Sequence, residues 1–213
     1  AVDTSVGFYP KYMWRGFNLY DGDSIQPSLT VSHSSDIGTF SLNGWMHLSP
    51  NSDEELNEYY ELDLTPAYEI SFDKLTVGGG AVFYLYPGDE SELDDTREFF
   101  LTASYDTILS PAVSFYRDFD LYDSNYLELG LSHTIEVAAL GDGFSFTPAV
   151  TLGFADDAEA YYADDGLVQV TYGISMEAPL GDVAISPEFN YTQGEDEFTS
   201  DEFWAGVTLS YSL

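Results

Sequence analysis

Two basic residues stand close together near the start of a chain that is otherwise strongly acidic. Lys11 and Arg15 are two of only five Lys and Arg residues, against 38 Asp and Glu, and the formal net charge is −33. They flank the aromatic residues Tyr12 and Trp14 in the segment KYMWRGFNLYDGDS. A basic cluster facing a carboxylate wall across a pore would create a transverse electric field that filters solutes. The chemistry these residues predict is ion selection, provided that both side chains point inward.

Three acidic segments offer a second kind of chemistry, the binding of divalent cations. DGDS, DESELDD and ADDAEAYYADDG carry clustered carboxylates, which are the hard oxygen ligands that Ca²⁺ and Mg²⁺ prefer. None has the spacing of an EF-hand loop. The alternative is a solvated, like-charged surface, suited to surroundings with enough salt to screen it. The chain has no cysteine, which excludes disulfides and thiolate metal sites, and the sequence predicts no cofactor.

The histidines are the main candidates for catalysis. His33 and His133 each adjoin a serine in sequence. Neighbouring residues of a strand point to opposite faces of the sheet, so neither pair forms a nucleophile with its base. The chain has no P-loop, G-x-S-x-G, H-E-x-x-H or dinucleotide-binding motif. The sequence therefore predicts that the protein is not an enzyme.

Apolar and polar residues alternate along most of the chain, which is the pattern of β-strands. In the last segment, AGVTLSYSL, every second residue from Ala205 to Leu213 is apolar. The chain is expected to form one domain spanning residues 1–213. Its alternation predicts twelve strands, at residues 4–16, 24–34, 38–49, 58–72, 75–86, 97–107, 109–118, 125–139, 144–155, 167–178, 183–193 and 202–213.

The connections between these strands alternate in length. One set is tight, such as DK and LGD, and the other is mostly longer and acidic, such as PGDESELDDT. Short turns at one end and long loops at the other, with an even strand number, are typical of outer-membrane barrels. Strands of about ten residues, tilted near 40°, span about 25 Å, the height of the apolar band. The prediction is an all-β fold, a twelve-stranded antiparallel transmembrane β-barrel with short periplasmic turns and longer acidic extracellular loops.

Composition narrows the surroundings and partners. With a net charge of −33, the chain cannot neutralise a phosphate backbone, so no nucleic-acid partner is expected. It contains no apolar run of eighteen residues, so no membrane-spanning helix is predicted. The polar strand face is rich in Ser, Thr, Gly and Ala and nearly free of Lys, which suits a barrel lumen. The expected partners are membrane lipids and lipopolysaccharide of the bacterial outer membrane. An alternative interpretation of the same composition is a soluble acidic β-protein.

Strand phase predicts which side chains face the lumen. A first strand at residues 4–16 turns Tyr12 and Trp14 toward lipid and Lys11 and Arg15 inward. A charge facing lipid near the midplane would cost about 2–4 kcal/mol, which favours this assignment. Two interpretations stay open: a charge-filtering constriction, or buried ion pairs that limit carboxylate repulsion and partly plug the barrel. The same phase predicts further pore-lining residues at Glu61, Asp63, Glu69, Asp106, Glu128, Glu136, Glu188 and His47.

Five prolines fall inside predicted strands, in IQPSL, LTPAY, LSPAV, FTPAV and ISPEF. Each removes a ladder hydrogen bond, and a closed barrel has no free edge to hide the loss. We interpret them as outward-pointing bulge positions, or as the trace of a duplicated hairpin unit.

The N-terminal segment resembles a known family. YMWRGFNLYDGDSIQPSLTVSH, followed by the aromatic-rich strand GTFSLNGWMHLS, is similar to the N-terminal signature of the TorF-type porin family of Gram-negative bacteria. That signature has an aromatic-Arg-Gly segment, a short Asp/Gly loop and a Pro-containing strand. The resemblance is best over residues 9–50 and implies an outer-membrane barrel with a channel role. The chain departs from the usual outer-membrane ending, because Leu213 stands in place of a terminal Phe or Trp.

These patterns together predict an outer-membrane channel for small hydrophilic solutes or ions. Eight-stranded barrels are filled by side chains and sixteen-stranded barrels hold a wide pore, so twelve strands predict a narrow passage. The carboxylates of the lumen and mouth favour cations over anions. The alternative is a non-transporting scaffold or adhesin whose acidic loops bind a partner or divalent cations. The sequence leaves open both the solute and the choice between monomer and homo-oligomer.

Overall fold

The computed structural model describes residues 1–50, 60–87 and 94–213, which form β-strands joined by turns and loops. Within these three ranges, no helix is long and apolar enough to cross a lipid bilayer. The strand segments are β1 (Val2–Tyr9), β2 (Tyr12–Trp14), β3 (Phe17–Tyr20), β4 (Ser24–Ser35), β5 (Gly38–His47), β6 (Glu61–Phe72), β7 (Leu75–Leu85), β8 (Thr96–Tyr105), β9 (Ala112–Asp118), β10 (Asn125–Ser132), β11 (Ile135–Glu136), β12 (Ser145–Asp156), β13 (Gly166–Leu180), β14 (Val183–Gly194) and β15 (Glu202–Ser212).

Twelve wall strands close into an antiparallel barrel, as the alternation predicts. Each wall strand pairs with the next one along the chain, and β15 returns to pair with β1, with Val6 opposite Leu209. β10 and the short β11 lie in line along β12 and together form one wall strand. The wall therefore consists of β1, β4 to β9, β10 with β11, and β12 to β15. Closure gives every wall strand ladder partners on both sides.

The two ends of the barrel differ in the lengths of their connections. At one end, the turn end, two residues join β4 to β5 and another two join β13 to β14. At the other, the loop end, longer segments such as residues 157–165 and 195–201 connect the strands. Both chain termini lie at the turn end, where Val2 and Leu213 exchange backbone hydrogen bonds.

Side chains of the wall alternate between an outer and an inner face. The outer face is apolar and exposed, as Leu42, Leu101 and Phe189 show with exposed fractions of 53, 59 and 54%. An exposed apolar belt of this kind matches the lipid-facing band of membrane barrels. The inner face carries polar contacts, for example the Asn43 amide, which donates to the Ser28 hydroxyl at 2.8 Å.

The predicted first strand, at residues 4–16, is wrong in its second half. β1 ends at Tyr9, and β2 and β3 form a separate two-stranded hairpin outside the wall. Pro10 follows directly and has no backbone N–H to continue the ladder, which explains why the wall strand stops there. The other eleven predicted strands coincide with wall strands to within three residues at the described boundaries.

The interpretation of the prolines as bulges is also wrong. The pairing register runs without a shift through the four prolines that lie within wall strands, and the fifth, Pro111, precedes β9. Among the described wall strands, the register shifts between Gly153 and Phe154. Val168 lies at this shift on the partner strand, β13, and its side chain is buried, with 1% exposure. The four in-strand prolines are Pro27, Pro66, Pro148 and Pro187.

Candidate functional site

A hairpin folded into the barrel occupies the loop-end half of the lumen. It comprises residues 10–23, between β1 and β4, and is termed the internal hairpin. Its tip is Arg15–Gly16, with positive φ angles of 47° and 91°. Two such angles in succession are what a two-residue type I′ hairpin turn requires. Gly16 adopts this conformation freely, whereas Arg15 does so at a cost of about 1 kcal/mol.

Arg15 forms the most buried ion pair among the described residues. Its Nη1 and Nη2 atoms donate to Oε1 and Oε2 of Glu98, each over 2.7 Å. The two side chains are only 10% and 3% exposed. The Tyr84 hydroxyl donates a further hydrogen bond to Glu98 at 2.9 Å. Bidentate pairing fixes the orientation of a guanidinium as well as its distance, so Glu98 anchors the hairpin tip to β8.

Three aromatic rings surround the same guanidinium. The Cζ atom of Arg15 lies 4.5 Å from the ring centroid of Trp14, 4.4 Å from Tyr116 and 4.5 Å from Tyr126. Each distance is within the roughly 6 Å at which a cation is attracted to a ring face. We term these three residues the arginine cage. The tip of the internal hairpin is therefore held by charge and by ring contacts together.

The base of the internal hairpin carries a second ion pair. Lys11 Nζ lies 2.6 Å from Glu202 Oε2, with side-chain exposures of 18% and 19%. Beside it, the Tyr9 hydroxyl donates to Glu188 at 2.8 Å. Removing one partner of a partly solvated ion pair typically costs below about 1 kcal/mol, whereas removing one partner of a buried pair costs about 3–5 kcal/mol. The main anchor of the hairpin is accordingly Arg15.

A second segment covers the internal hairpin from the loop end. Residues 157–165, termed the tyrosine loop, place the Tyr162 hydroxyl 2.9 Å from the backbone oxygen of Arg15, to which it donates. The Tyr162 ring lies 4.9 Å from Phe17, and the Tyr161 ring lies 5.6 Å from Trp14. Burial raises the pKa of Tyr161 and Tyr162 above the usual value, so both phenols are neutral at physiological pH.

Asp196, in the neighbouring loop, holds the tyrosine loop in position. Its carboxylate accepts hydrogen bonds from the backbone N–H groups of Ala163 and Asp164, both at 3.0 Å, and of Phe198 at 2.9 Å. Desolvation raises the pKa of Asp196, but the three donors outweigh it and hold this pKa below its usual range. The ionised carboxylate therefore stabilises the loop.

Acid is expected to release the tyrosine loop. The pKa of Asp196 is lower in the folded state than in the unfolded chain, where it is about 4. Its stabilisation is therefore complete above about pH 4 and is lost as the pH falls through the lowered value. Hydrogen exchange should show the amides of Ala163 and Asp164 protected at neutral pH and less protected in acid.

A matched pair of variants tests whether Asp196 holds the tyrosine loop. Asp196→Ala should reduce the protection of the Ala163 and Asp164 amides at neutral pH, to the level that the parent protein shows in acid. Glu197→Ala, which removes an exposed neighbouring carboxylate, should leave it unchanged. Equal protection at neutral pH in Asp196→Ala and the parent protein would show that Asp196 does not hold the loop.

Four of the predicted lumen carboxylates face the interior at the height of the internal hairpin or next to it. Asp63 and Glu128 line the same cavity as Arg15. Glu61 is 2% exposed and lines a cavity on the loop side of the hairpin. Glu188 accepts hydrogen bonds from Tyr9 and from the Asn190 amide at 2.9 Å.

The remaining three predicted carboxylates lie toward the turn end. Glu69 and Glu136 are on the inward phase of β6 and β11 and are exposed, so water reaches the lumen from this end. Asp106 is not on the lumen wall, contrary to the prediction. β8 ends at Tyr105, and the Asp106 backbone N–H donates to the carbonyl of Lys74 in the adjacent turn. The predicted strand at residues 97–107 extends two residues beyond the end of β8, into the turn that follows β8.

Tyr12 and Trp14 were predicted to face lipid, and the structure places them inside. Tyr12 is 5% exposed and stacks on His47, with ring centroids 4.8 Å apart. His47 has no exposed surface and shares a 2.8 Å hydrogen bond with the Ser24 hydroxyl. His47 thus faces inward as predicted but packs against the hairpin instead of meeting solutes. Because Ser24 is 1% exposed, a substrate cannot reach the Ser24–His47 pair.

The sequence reasoning missed the carboxylates that pair with the two lumen cations. Glu98 precedes Phe99 and Glu202 precedes Phe203, and both carboxylates lie on the inward phase of their strands. In both strands a carboxylate is followed by an aromatic residue, and this alternation was the sequence signal that could have identified the two carboxylates. The tyrosines that contact Arg15 and Glu98 were missed as well: Tyr84, Tyr116 and Tyr126.

Two cavities lie on either side of the hairpin tip. The inner chamber, of about 420 Å³, includes Met13, Arg15, Asp63 and Glu128 among its lining residues. The vestibule cavity, of about 320 Å³, lies between the internal hairpin and the tyrosine loop. Its aromatic lining consists of Trp14, Phe17, Tyr84, Tyr86, Tyr122 and Tyr161. Trp14 and Tyr84 line both cavities and separate them.

The acidic segments show no assembled metal site in the described part of the chain. Across residues 1–50, 60–87 and 94–213, no three His, Asp or Glu side chains are grouped so that they could hold a metal ion. DESELDD falls mostly on residues 88–93, outside the described residues, so its cation binding stays a prediction. ADDAEAYYADDG contains the tyrosine loop, whose two tyrosines point into the barrel.

Comparisons with known proteins show the fold of the chain. No family model and no curated protein match it. Among solved structures, it is similar to the KdgM porin, with 12% identity, 100% and 98% of the two chains covered, and a TM-score of 0.61. The NanC porin matches with 16% identity, full coverage of both chains and a TM-score of 0.55. LpxR from Salmonella typhimurium matches with 10% identity, 100% and 99% coverage and a TM-score of 0.60.

Proposed function

We propose that the protein is a porin-type channel of the bacterial outer membrane, in which the internal hairpin restricts passage to small solutes and the acidic lumen favours cations. The closed twelve-stranded barrel and its likeness in fold to two porins support this proposal. The apolar outer face is suited to membrane lipids. The acidic loops are suited to lipopolysaccharide bridged by divalent cations.

The charge balance of the lumen carries the proposal. Both basic side chains in the lumen, Lys11 and Arg15, are already paired with carboxylates. Within the described residues, the lumen carboxylates Glu69, Glu136 and Glu188 have no Lys or Arg within ion-pair distance. The lumen therefore has an excess of negative charge, which concentrates cations and repels anions. The other basic residues lie in a turn or on the outer face: Lys74, Arg97 and Arg117.

The internal hairpin sets the size of the passage. Twelve strands alone leave a lumen wider than that of filled eight-stranded barrels. Here the loop-end half is occupied by the hairpin and the tyrosine loop, where Tyr12, Tyr126 and Tyr162 are 5%, 3% and 4% exposed. Solutes must therefore pass beside the hairpin or wait for it to move.

Neutralising the exposed carboxylates of the lumen is expected to weaken cation selectivity. Glu69→Gln with Glu136→Gln removes two lumen charges and keeps the side-chain volumes, so the field that attracts cations falls. The measurement is the reversal potential of the refolded protein in a planar bilayer under a KCl gradient. We expect a cation-selective potential for the parent protein, shifted toward zero in the double variant. Asp36→Asn, in an exposed turn, is the charge control and should leave the potential unchanged.

Anion-selective currents in the parent protein at neutral pH would contradict the proposal. A potential that is unchanged in the double variant would place the selectivity determinant elsewhere. Both results can be interpreted only if the variants fold. Heat-modifiable migration on a cold detergent gel tests whether they do.

The buried Arg15–Glu98 pair favours a second candidate, a barrel that does not transport. A hairpin held permanently by this pair would leave a scaffold or adhesin whose acidic loops bind a partner. A well-folded parent protein that passes no current, together with current through the same barrel once the hairpin is removed, would select this candidate.

A further inference from the structure

The vestibule cavity combines aromatic walls with negative charge. Its six aromatic side chains line one small space, and among the described residues that line it Glu61 is the single carboxylate. None of the five Lys and Arg side chains lines it. Aromatic walls with a carboxylate form the type of pocket that holds organic cations, because the negative ring faces attract positive charge without the cost of stripping tightly bound water.

The protein already uses this chemistry next to the cavity. The Arg15 guanidinium lies within 4.5 Å of three ring centroids and is paired with Glu98. Trp14 belongs to the arginine cage and also lines the vestibule cavity. The cavity therefore has the same kind of surroundings as the Arg15 guanidinium, aromatic rings with a carboxylate. The carboxylate is Glu61 in the cavity and Glu98 beside the arginine cage.

A buried carboxylate behind the wall adds to the negative potential of the cavity. Thr96 lines the cavity, and its hydroxyl donates to Asp118 at 2.6 Å. Asp118 has no exposed surface and forms no ion pair with any of the five basic residues. The attraction to a buried carboxylate is screened less by solvent and salt than the attraction to one at an open surface. A cation in the cavity would therefore gain from Glu61 and Asp118 as well as from the rings.

The size and position of the cavity limit the ligand. At about 320 Å³, it is at the small end of ligand pockets, which run from about 300 to 1,000 Å³. Two of its lining residues, Leu19 and Ala160, are exposed at the loop end, so the cavity opens toward solvent. A compact solute arriving from the loop end would meet this cavity before it reaches the hairpin tip.

We infer that the vestibule cavity binds a small organic cation, of the quaternary ammonium or protonated amine class. The inference deepens the proposed function, because it names the class of solute that the channel would select. Inorganic cations fit less well, since Na⁺ and Mg²⁺ prefer oxygen ligands and the cavity walls are mainly aromatic carbon. Binding itself does not depend on conduction, so the two claims can fail separately.

Calorimetry on the unmodified protein in detergent tests the inference without a variant. The probe is choline chloride, and the control is 3,3-dimethyl-1-butanol, which has the same shape and no charge. We expect choline to bind at least about tenfold more tightly than the neutral compound, the ratio that a cation held by several rings predicts. Sodium chloride at matched ionic strength should give no binding heat. Equal affinity for the charged and neutral compounds would overturn the inference.

Two matched pairs of variants locate the site. Tyr122→Leu removes a ring from the cavity and should weaken choline binding several-fold, whereas Tyr122→Phe keeps the ring and should bind like the parent protein. Glu61→Gln should weaken binding, whereas Asp36→Asn, at a distant exposed turn, should not. Unchanged affinity in both Tyr122→Leu and Glu61→Gln would show that choline binds elsewhere and would overturn the assignment.

The binding and conduction results separate the inference from the proposed function. Choline binding at this cavity without any current would support the inference and contradict the channel. Cation-selective current without choline binding would support the channel and overturn the inference.

Discussion

The Arg15→Met variant is expected to melt about 10 °C below the parent protein and to conduct several-fold more current. Methionine keeps much of the side-chain length but leaves Glu98 buried, at 3% side-chain exposure, without its cation. Removing one partner of a buried ion pair costs about 3–5 kcal/mol. The contacts with the arginine cage are lost at the same time. The hairpin tip then loses its anchor, and the lumen opens.

A double-mutant cycle identifies the ion pair as the cause. Glu98→Gln alone should destabilise the barrel strongly, because Arg15 then remains charged and buried beside a neutral amide. Arg15→Met combined with Glu98→Gln should lose clearly less than the sum of the two single losses, since no unpaired charge is left. Lys11→Met serves as the control: its pair with Glu202 is partly solvated, so the expected loss is below about 1 kcal/mol. Strict additivity of the two single losses would show that the pair is not the anchor.

Removing the internal hairpin is expected to give the largest gain in permeability. In the β1–β4 pairing, the last partners at the loop end are Tyr9 and Ser24. A short Asn-Gly turn can therefore replace residues 10–23 without disturbing the wall. The excised chain should also carry Glu98→Gln, so that the buried partner of Arg15 is not left as an unpaired charge. Liposomes containing this barrel should swell in larger sugars than liposomes containing the parent protein.

Folding of the excised chain is checked independently of permeability. All twelve wall strands and their pairings remain, so the barrel should still show heat-modifiable migration on a cold detergent gel. Its melting temperature should fall, because the rings that pack on the hairpin lose their contacts. A folded excised barrel with the same solute size limit as the parent protein would show that the hairpin does not restrict the passage.

The wall of the barrel follows directly from the sequence. Alternation of apolar and polar residues fixes the side-chain phase of each strand, and the alternating connection lengths fix the two ends. Both signals are local, so residues such as Ala205 to Leu213 reveal their faces without knowledge of their neighbours. Pairing of consecutive strands then needs only closure of β15 on β1.

The internal hairpin does not follow from alternation, because its own residues alternate in the same way as those of β1. Lys11, Met13 and Arg15 continue the phase of Tyr9, so the segment is indistinguishable from a longer wall strand by period alone. Pro10 and Gly16 were the available signals, as a ladder break and a turn residue. Whether these two residues end the wall strand becomes clear only once the strand partners are known.

The contacts of the candidate site depend on distances between residues far apart in the sequence. Arg15 and Glu98 are 83 positions apart, and Tyr162 bonds to the Arg15 carbonyl from 147 positions away. Aromatic residues near strand ends, such as Tyr84 and Tyr126, have the same sequence signature whether they face lipid or lumen. Sequence could identify the inward cations, but their partners required the closed barrel.

Single-channel recording of the parent and the excised barrel, in the same bilayer and under the same KCl gradient, tests the central claim most directly. Conductance and reversal potential are read together from each protein. We predict small, cation-selective steps from the parent and several-fold larger steps, also cation-selective, from the excised barrel. Equal conductances, or anion selectivity in either protein, would contradict a cation-preferring channel restricted by its internal hairpin.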